Sequence, residues 1–282
     1  MSKLFSTSMP GEPWMHRCPT CGMCVVAPLS EETDIQYEDA YTAGAEAGRK
    51  NRRLASDYFR KIRPHLPPDS FRFLEVGGSY GWLAQQVRDE RGADVLLLEP
   101  GRTAVESARA RGLNAQVGFL EHYKFDQPLD VLCAAHVVEH VRDAGAFLEA
   151  CRRTLKPHGL LLLFTPNADA WKLDRFGRAW AWAVPEQHTL FLSRESARRL
   201  LAKHGFEPLS IAANPPAFAH YPFFAARWLA ECRANWPGLL RKAAGLVTRP
   251  IAVAEYLLLR GVDACIQRDR ADELLIVASR RE

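Results

Sequence analysis

The chain has 282 residues, room for one large domain with an appendage. Hydrophobic residues make up 48% and charged residues 25%, which excludes a disordered or collagen-like chain and predicts a sizeable core. The net charge of +4 is only mildly basic and does not by itself require a nucleic-acid partner.

Seven cysteines, an odd number, argue for a reducing compartment rather than a disulfide framework. Met1–Phe5 lacks the apolar core of a leader, so the expected location is cytoplasmic. No stretch reaches about 18 uninterrupted apolar residues, so no spanning helix is expected.

The first unusual feature is His16-Arg17-Cys18-Pro19-Thr20-Cys21-Gly22-Met23-Cys24. Cys-x-x-Cys-Gly is the form of a zinc knuckle, in which a tight turn points two thiolates at one ion. His16, Cys18, Cys21 and Cys24 could supply four ligands for a structural zinc, although within a short span. The alternative is a knuckle of free thiols. After Tyr37 and Tyr41, the basic run Arg49 to Arg63 carries Leu54, Tyr58 and Ile62 at helical spacing, with its charges on a solvated face. Pro64, Pro67 and Pro68 end that helix.

The central stretch is Phe71-Arg72-Phe73-Leu74-Glu75-Val76-Gly77-Gly78-Ser79-Tyr80-Gly81-Trp82. An apolar run reaches an acid, turns through glycines and continues as Trp82-Leu83-Ala84-Gln85-Gln86-Val87 with helical spacing. Strand, glycine loop and helix open a nucleotide-binding α/β domain. Ala93 to Pro100 reads as a second buried strand that ends on Glu99, 24 residues after Glu75. An acid at that tip can accept both hydroxyls of a ribose.

Asn114 to Leu120 reads as the third strand and its exit, and Asp130 to Ala135 as the fourth. A helix opened by Asp143 is stopped by Pro157-His158-Gly159, and Leu160 to Phe164 forms the fifth strand. A tryptophan-rich irregular segment leads to His188 and a helix from Arg194 to His204. Phe206 to Ala213 is the sixth strand and Asp272 to Ser279 the seventh. Alternation of this kind implies a mostly parallel sheet. Residues 214–270 interrupt it with aromatic and aliphatic residues that predict helices.

The glycine stretch resembles motif I of the class I S-adenosylmethionine-dependent methyltransferases: an acid, one residue, then Gly-x-Gly-x-Gly. The glycine positions hold Gly77, Ser79 and Gly81, so Ser79 replaces the middle one with Gly78 beside it. His136-Val137-Val138-Glu139-His140-Val141 resembles the family's exit from strand four, and the histidine before a Ser-capped helix matches His188. The resemblance covers about residues 70–282. It implies a Rossmann-like seven-stranded, mostly parallel sheet with an antiparallel last strand, helices on both faces, and a helical insertion before that strand. The resulting layout is a cysteine knuckle with leading helices over 1–69, a cofactor domain over 70–213 and 271–282, and an insertion or lid over 214–270.

The resemblance also implies S-adenosylmethionine as cofactor. Glu75, Gly77, Gly78, Ser79, Gly81 and Trp82 would face its methionine end, and Glu99 its ribose. Gly118, Phe119 and Leu120 would line the adenine, with Ala135 and His136 at the strand-four exit. In relatives a leading-segment tyrosine folds over the cofactor, and Tyr41 is the candidate here, with simple packing of Tyr37 and Tyr41 as the plainer alternative. Several relatives carry an N-terminal zinc ribbon whose second half looks like the knuckle, but no upstream Cys-x-x-Cys precedes it here.

His136, Glu139 and His140 would share a face if that segment turned helically. The ubiquinone-biosynthesis O-methyltransferases and the small-RNA 2′-O-methyltransferases hold a metal at this spacing with two glutamates and a histidine. Here His136 replaces the first glutamate, and a set of two imidazoles and a carboxylate suits zinc, iron or manganese. His188 is a further ligand or a general base. The plainer reading is that Glu139 and His140 only hold the loop.

Asn214-Pro215-Pro216-Ala217-Phe218 has the look of a DNA adenine methyltransferase motif but follows strand six instead of strand four, so it reads as a loop. A nicotinamide oxidoreductase needs Gly-x-Gly-x-x-Gly, and neither register from Gly77 or Gly78 supplies it. A non-catalytic interaction protein on the same fold is the remaining rival, with RNA 2′-O-methylation as the metal-assisted variant. The expected activity is methyl transfer to an oxygen, or a carbon or nitrogen, of a small or amphipathic acceptor such as a quinone, phenol, sugar or lipid intermediate. Residues 214–270 would cover that acceptor or touch a membrane surface, and packing between their own helices is the plainer alternative.

Overall fold

A computed structural model describes residues 2–3, 14–27, 45–177, 180–184, 187–215 and most of 250–282. Tyr41 and most of the 214–270 insertion lie outside the described residues, although several positions between 250 and 262 are helical.

The elements run β1 (Ser2–Lys3), β2 (Trp14–Arg17), β3 (Cys24–Ala27), α1 (Ala45–Ile62), β4 (Arg72–Val76), α2 (Trp82–Arg91), β5 (Asp94–Glu99), α3 (Arg102–Ala110) and β6 (Asn114–Val117). They continue with β7 (Leu129–Ala135), α4 (Ala144–Thr154), β8 (Leu155–Pro166), α5 (Trp171–Phe176), β9 (Leu190–Phe191), α6 (Arg194–Lys203), β10 (Phe206–Asn214) and β11 (Glu273–Arg280).

The main sheet has seven strands in the order β10-β11-β8-β7-β4-β5-β6. β4 sits inside it, parallel to both β5 and β7. The sequence explains that position: Phe73, Leu74 and Val76 are apolar on both faces, as a strand covered on both sides must be. Phe73 joins one core with Leu97, Val131 and Phe164, while Leu74 and Val76 join the other with Leu98, Leu132 and Leu163. α1 covers the first face through Ala55, Tyr58, Phe59 and Ile62, so this leading helix shares the core of the sheet. β11 is antiparallel to both β8 and β10 and lies between them.

Helix starts follow capping chemistry. The Asp143 side chain accepts from the Gly145 and Ala146 N–H groups and starts α4. Ser193 and Ser196 cap α6 reciprocally.

The expected stop at Pro157-His158-Gly159 is corrected. α4 ends at Thr154, and β8 begins at once with Leu155 paired to Leu129. The three residues sit in a register shift within the ladder, where His158 takes φ +62°. A bulge absorbs the proline and glycine that looked like a turn.

The N-terminal hairpin forms a second sheet, β1-β2-β3-β9. Its turn is tied by Cys18 N–H donating to the Met23 carbonyl (2.8 Å) and Gly22 N–H donating to the Cys18 carbonyl (2.9 Å). Backbone N–H groups of Cys21 and Thr20 hold the Cys18 thiol below its ordinary pKa. Among the described residues, His16, Cys18, Cys21 and Cys24, expected as four zinc ligands, form no group of three with ligand atoms within 4.8 Å of one another. Cys24 begins β3 and points into a core with Met15, Trp180 and Phe191, where burial pushes its thiol up to about 11. Cys18 and Cys21 remain in the partly exposed turn. Among the described residues no helix is long and apolar enough to cross a membrane.

Candidate active site

The glycine loop leaves β4 in a series of left-handed steps. Gly77, Ser79 and Gly81 have φ of +65°, +52° and +71°. Ser79 therefore occupies a conformation that glycine enters without cost, which accounts for glycine at this position in the motif. Its N–H donates to Glu99 Oε2 at 2.9 Å, while the Gly101 N–H donates to Glu99 Oε1 at 2.9 Å. Glu99 thus pins the loop from the tip of β5.

Glu75 supports the loop from beneath. It is buried, and its Oε2 accepts from Ala84 N–H at 2.8 Å. Burial is the main reason its carboxyl is pushed up to about 8, with the Glu99 charge adding to it. At neutral pH it is therefore mostly protonated. A Cβ at Gly78 would lie 2.2 Å from Glu75 Cδ, so that glycine is required by contact with the acid below it.

Two cavities flank the loop. The first, about 280 Å³, is lined by Glu99, Gly118, Phe119, Leu120, Val137 and Phe147, among others. The second, about 200 Å³, is lined by Tyr58, Glu75, Gly78, Ser79, Trp82 and Ala135, among others. Gly77 and His136 line both. Of the residues expected to face the cofactor, Gly81 alone among those described lines neither cavity, and packs against Leu97 and Leu113 instead.

His136 closes the space between the cavities. It follows β7 at φ +56°, a strained value for a residue with a side chain. Its Nδ1 lies 2.9 Å from Glu139 Oε1 and its Nε2 3.1 Å from Glu273 Oε2. The ring lies flat on Trp182, with centroids 4.5 Å apart and planes at 6°. Lys61 Nζ donates to Glu273 Oε1 at 2.8 Å and lies 3.0 Å from Asp57. Burial works against every one of these charges. The ion pairs prevail, so His136 is raised to about 9, Glu273 is lowered to about 2, and Glu139 is held below its ordinary range. Glu139 Oε2 also accepts from the Thr165 hydroxyl at 3.1 Å.

The expected grouping of His136, Glu139 and His140 is revised by this geometry. The segment is a turn in which His140 N–H donates to the Val137 carbonyl, and left-handed His136 commits both ring nitrogens to carboxylates. The described residues whose ligand atoms lie within 4.8 Å of one another are Glu139, His140 and His188. His140 Nδ1 is 3.0 Å from the Gln187 carbonyl and His188 Nδ1 is 2.8 Å from the Trp182 carbonyl. A carbonyl only accepts, so both Nδ1 atoms donate, which leaves each Nε2 as an acceptor in a neutral ring. Burial lowers His188 to about 4.

Lys61 and Glu273 were not legible as site residues. Tyr58 read only as a member of an apolar helical stripe, and Asp272-Glu273 only as the start of a strand. The signal available for the strand was two consecutive acids on an otherwise apolar segment.

A parallel sheet whose inner strand runs into a left-handed glycine loop, with a buried acid at the tip of the next strand, defines a nucleotide-binding α/β protein. A sequence profile described as a methyltransferase domain matches residues 47–211. The chain belongs to that family and is an S-adenosylmethionine-dependent methyltransferase.

The chain is 28% identical over 171 residues to a protein from Cereibacter sphaeroides named ubiquinone biosynthesis O-methyltransferase, covering 55% of this chain and 68% of that one. The fold is similar to the solved complex between the Haloferax volcanii Trm112 methyltransferase activator and the putative methyltransferase. There the TM-score is 0.59 at 17% identity, covering 88% of this chain and 98% of that one. It is also similar to Haemonchus contortus phosphoethanolamine N-methyltransferase 2 solved with S-adenosyl-L-methionine, with TM-score 0.58, 16% identity, and coverage of 88% and 60%.

The residues present fit the cofactor. The left-handed loop brings backbone close to both cavities, the Glu99 carboxylate lines the first, and the Tyr58 hydroxyl and Trp82 Nε1 are buried beside the second with no hydrogen-bond partner among the described residues. When bound, S-adenosylmethionine supplies an activated methyl group. The chain has to orient the acceptor and manage its proton.

Proposed function

We propose that the protein methylates a hydroxyl oxygen of a phenol- or quinol-type small molecule. The observation that carries this reading is the His140–His188 pair, with ring centroids 4.7 Å apart and both Nε2 atoms left as acceptors. A hydroxyl must lose its proton as its oxygen gains a methyl group, and an imidazole nitrogen can take it. We assign this to His140, which is half-buried and lines the first cavity. His188, kept neutral by burial, accepts a hydrogen bond and orients the acceptor. Trp182, stacked on both His136 and His188, holds the two imidazoles in place beside the second cavity. The name of the Cereibacter relative supports an oxygen acceptor of this kind.

Incubation with labelled S-adenosylmethionine and a panel of catechols, hydroquinones, amines and sugars tests the reading. Transfer to phenolic oxygen, lost in His140→Ala, is expected. Transfer confined to amines or carbon would overturn it.

A second reading is favoured by the convergence of Glu139, His140 and His188. Two imidazoles with carbonyl-anchored Nδ1–H groups and one carboxylate suit a divalent transition metal. Such an ion would polarise the acceptor hydroxyl. Metal content of the purified protein, compared with His188→Ala, decides it: equal content in both removes the metal.

A further inference from the structure

Cys18 and Cys21 play no part in the site described above, yet they stand together within reach of solvent. Backbone N–H groups of Cys21 and Thr20, and the Cys21 thiol itself, face the Cys18 sulfur. Both residues are partly exposed, whereas Cys24, Cys133 and Cys151 are buried. The intervening Pro19 and Thr20 are exposed. Two adjacent thiols that a small molecule can reach, with N–H donors at the first sulfur, suit thiol–disulfide exchange.

The turn that carries them is joined through backbone to the histidines of the site. The Cys21 carbonyl accepts from the Ser193 hydroxyl, which also caps α6, and a Cβ at Gly22 would lie 3.2 Å from Ser193 Cβ. Cys24 pairs with Phe191, and Val25 with Leu190. Val26 N–H donates to the Thr189 carbonyl at 2.9 Å, and Thr189 N–H donates to the Glu139 carbonyl at 2.7 Å. The Thr189 hydroxyl donates to the Val141 carbonyl at 2.7 Å. Thr189 follows His188, and Glu139 and Val141 flank His140, so the hairpin supports the backbone of both histidines.

We propose that Cys18 and Cys21 form a thiol–disulfide exchange site for a small-molecule disulfide, and that its closure loosens the backbone around His188. The Cys18 thiolate attacks one sulfur of the incoming disulfide, breaking its S–S bond and releasing one thiolate. The Cys21 thiolate then attacks the Cys18 sulfur of the mixed disulfide and expels the second. The chain gives up two electrons and two protons, and the small molecule leaves as two thiols. Closure draws the sulfurs from contact to covalent distance, so the Cys21 carbonyl shifts against the serine that caps α6. The link to His188 rests on the acceptor-side role proposed above; the exchange site does not.

The reduced full chain, incubated with mixtures of oxidised and reduced glutathione, tests both parts. Alkylation and peptide mass spectrometry should find Cys18 joined to Cys21, with Cys24, Cys133 and Cys151 still reduced. Amide hydrogen exchange over residues 188–193 should quicken about tenfold and recover with dithiothreitol. Methyl transfer to a phenol of the panel should fall about fivefold on oxidation. Affinity for S-adenosylmethionine should stay within about twofold. Cys18→Ser and Cys21→Ser should keep basal turnover and lose the response to oxidant. Absence of a Cys18–Cys21 disulfide in every mixture overturns the exchange site. So does stoichiometric zinc in the purified chain that Cys18→Ser abolishes, since the thiolates would then be ligands. A disulfide that leaves exchange over 188–193 or turnover unchanged overturns the link to His188. Mass spectrometry and hydrogen exchange need no acceptor, so failure of the phenol reading would leave both results standing.

Discussion

Two pairs of buried glutamates sit at the same edge of the sheet and behave in opposite ways. Glu75 and Glu99 accept from backbone N–H groups, and Glu75 keeps its proton up to about pH 8. Glu139 and Glu273 meet His136 and Lys61, and Glu273 stays ionised down to about pH 2. Burial is common to both pairs, so the partner decides the charge. The first pair is an anchor that shapes a loop. The second is an ionic network that fixes His136 and, through it, Trp182.

The largest expected effect comes from breaking the ionic pair. Glu273→Ala leaves Lys61 and His136 without their shared carboxylate and should cost about 3–5 kcal/mol in denaturant unfolding. Its site consequence is loss of the Trp182 stack, visible as a change in near-ultraviolet circular dichroism.

Gly78→Val strikes the other pair. Its Cβ would collide with Glu75, so a loss of about 1–3 kcal/mol is expected. Cofactor affinity measured by calorimetry should fall with it. Unchanged affinity would mean that the loop does not approach the ligand as described.

The two pairs should also part company with pH. Glu75 is raised when folded, so its contribution is complete below about 4.5 and is lost as pH rises towards about 8. Glu273 is lowered when folded, so its contribution is present above about 4.5 and is lost as pH falls towards about 2. Thermal unfolding across this range should show stability falling on both sides. Glu75→Gln should shrink the alkaline limb to the part that His136, raised from 6.5 to about 9, loses on its own, and should leave the acid limb intact. Loss of both limbs would show that the pairs are not independent.

The smallest effect is a gain. Ser79→Gly relieves a left-handed residue and should stabilise by up to about 1 kcal/mol, read as a small rise in melting temperature.

The same division marks what could be read from the chain alone. The loop, Glu75 and Glu99 were legible because strand, turn and helix are local, and each acid closes a bond within about one strand–helix unit. The parallel order and the antiparallel last strand followed from alternation and from the resemblance. The second pair was hidden because Lys61 and Glu273 are 212 residues apart and His136 and Glu273 are 137 apart. No periodicity links such positions. The left-handed turn at His136 was hidden for a different reason: histidine does not advertise a positive φ, and helical spacing pointed the wrong way. Tyr58 was legible as a helix residue but not as a cavity residue, since its stripe looks the same whether its hydroxyl meets a core or a ligand.

β11 lies between β8 and β10 and carries Glu273 to the floor of the site. In order of synthesis it is the last strand of the sheet to leave the ribosome. Until then the emerging chain holds its glycine loop, Glu99 and the Asp57–Lys61 pair but lacks the carboxylate that meets Nε2 of His136. A nascent chain can thus form its nucleotide cradle before β11 fixes His136 and the Trp182 ring stacked on it.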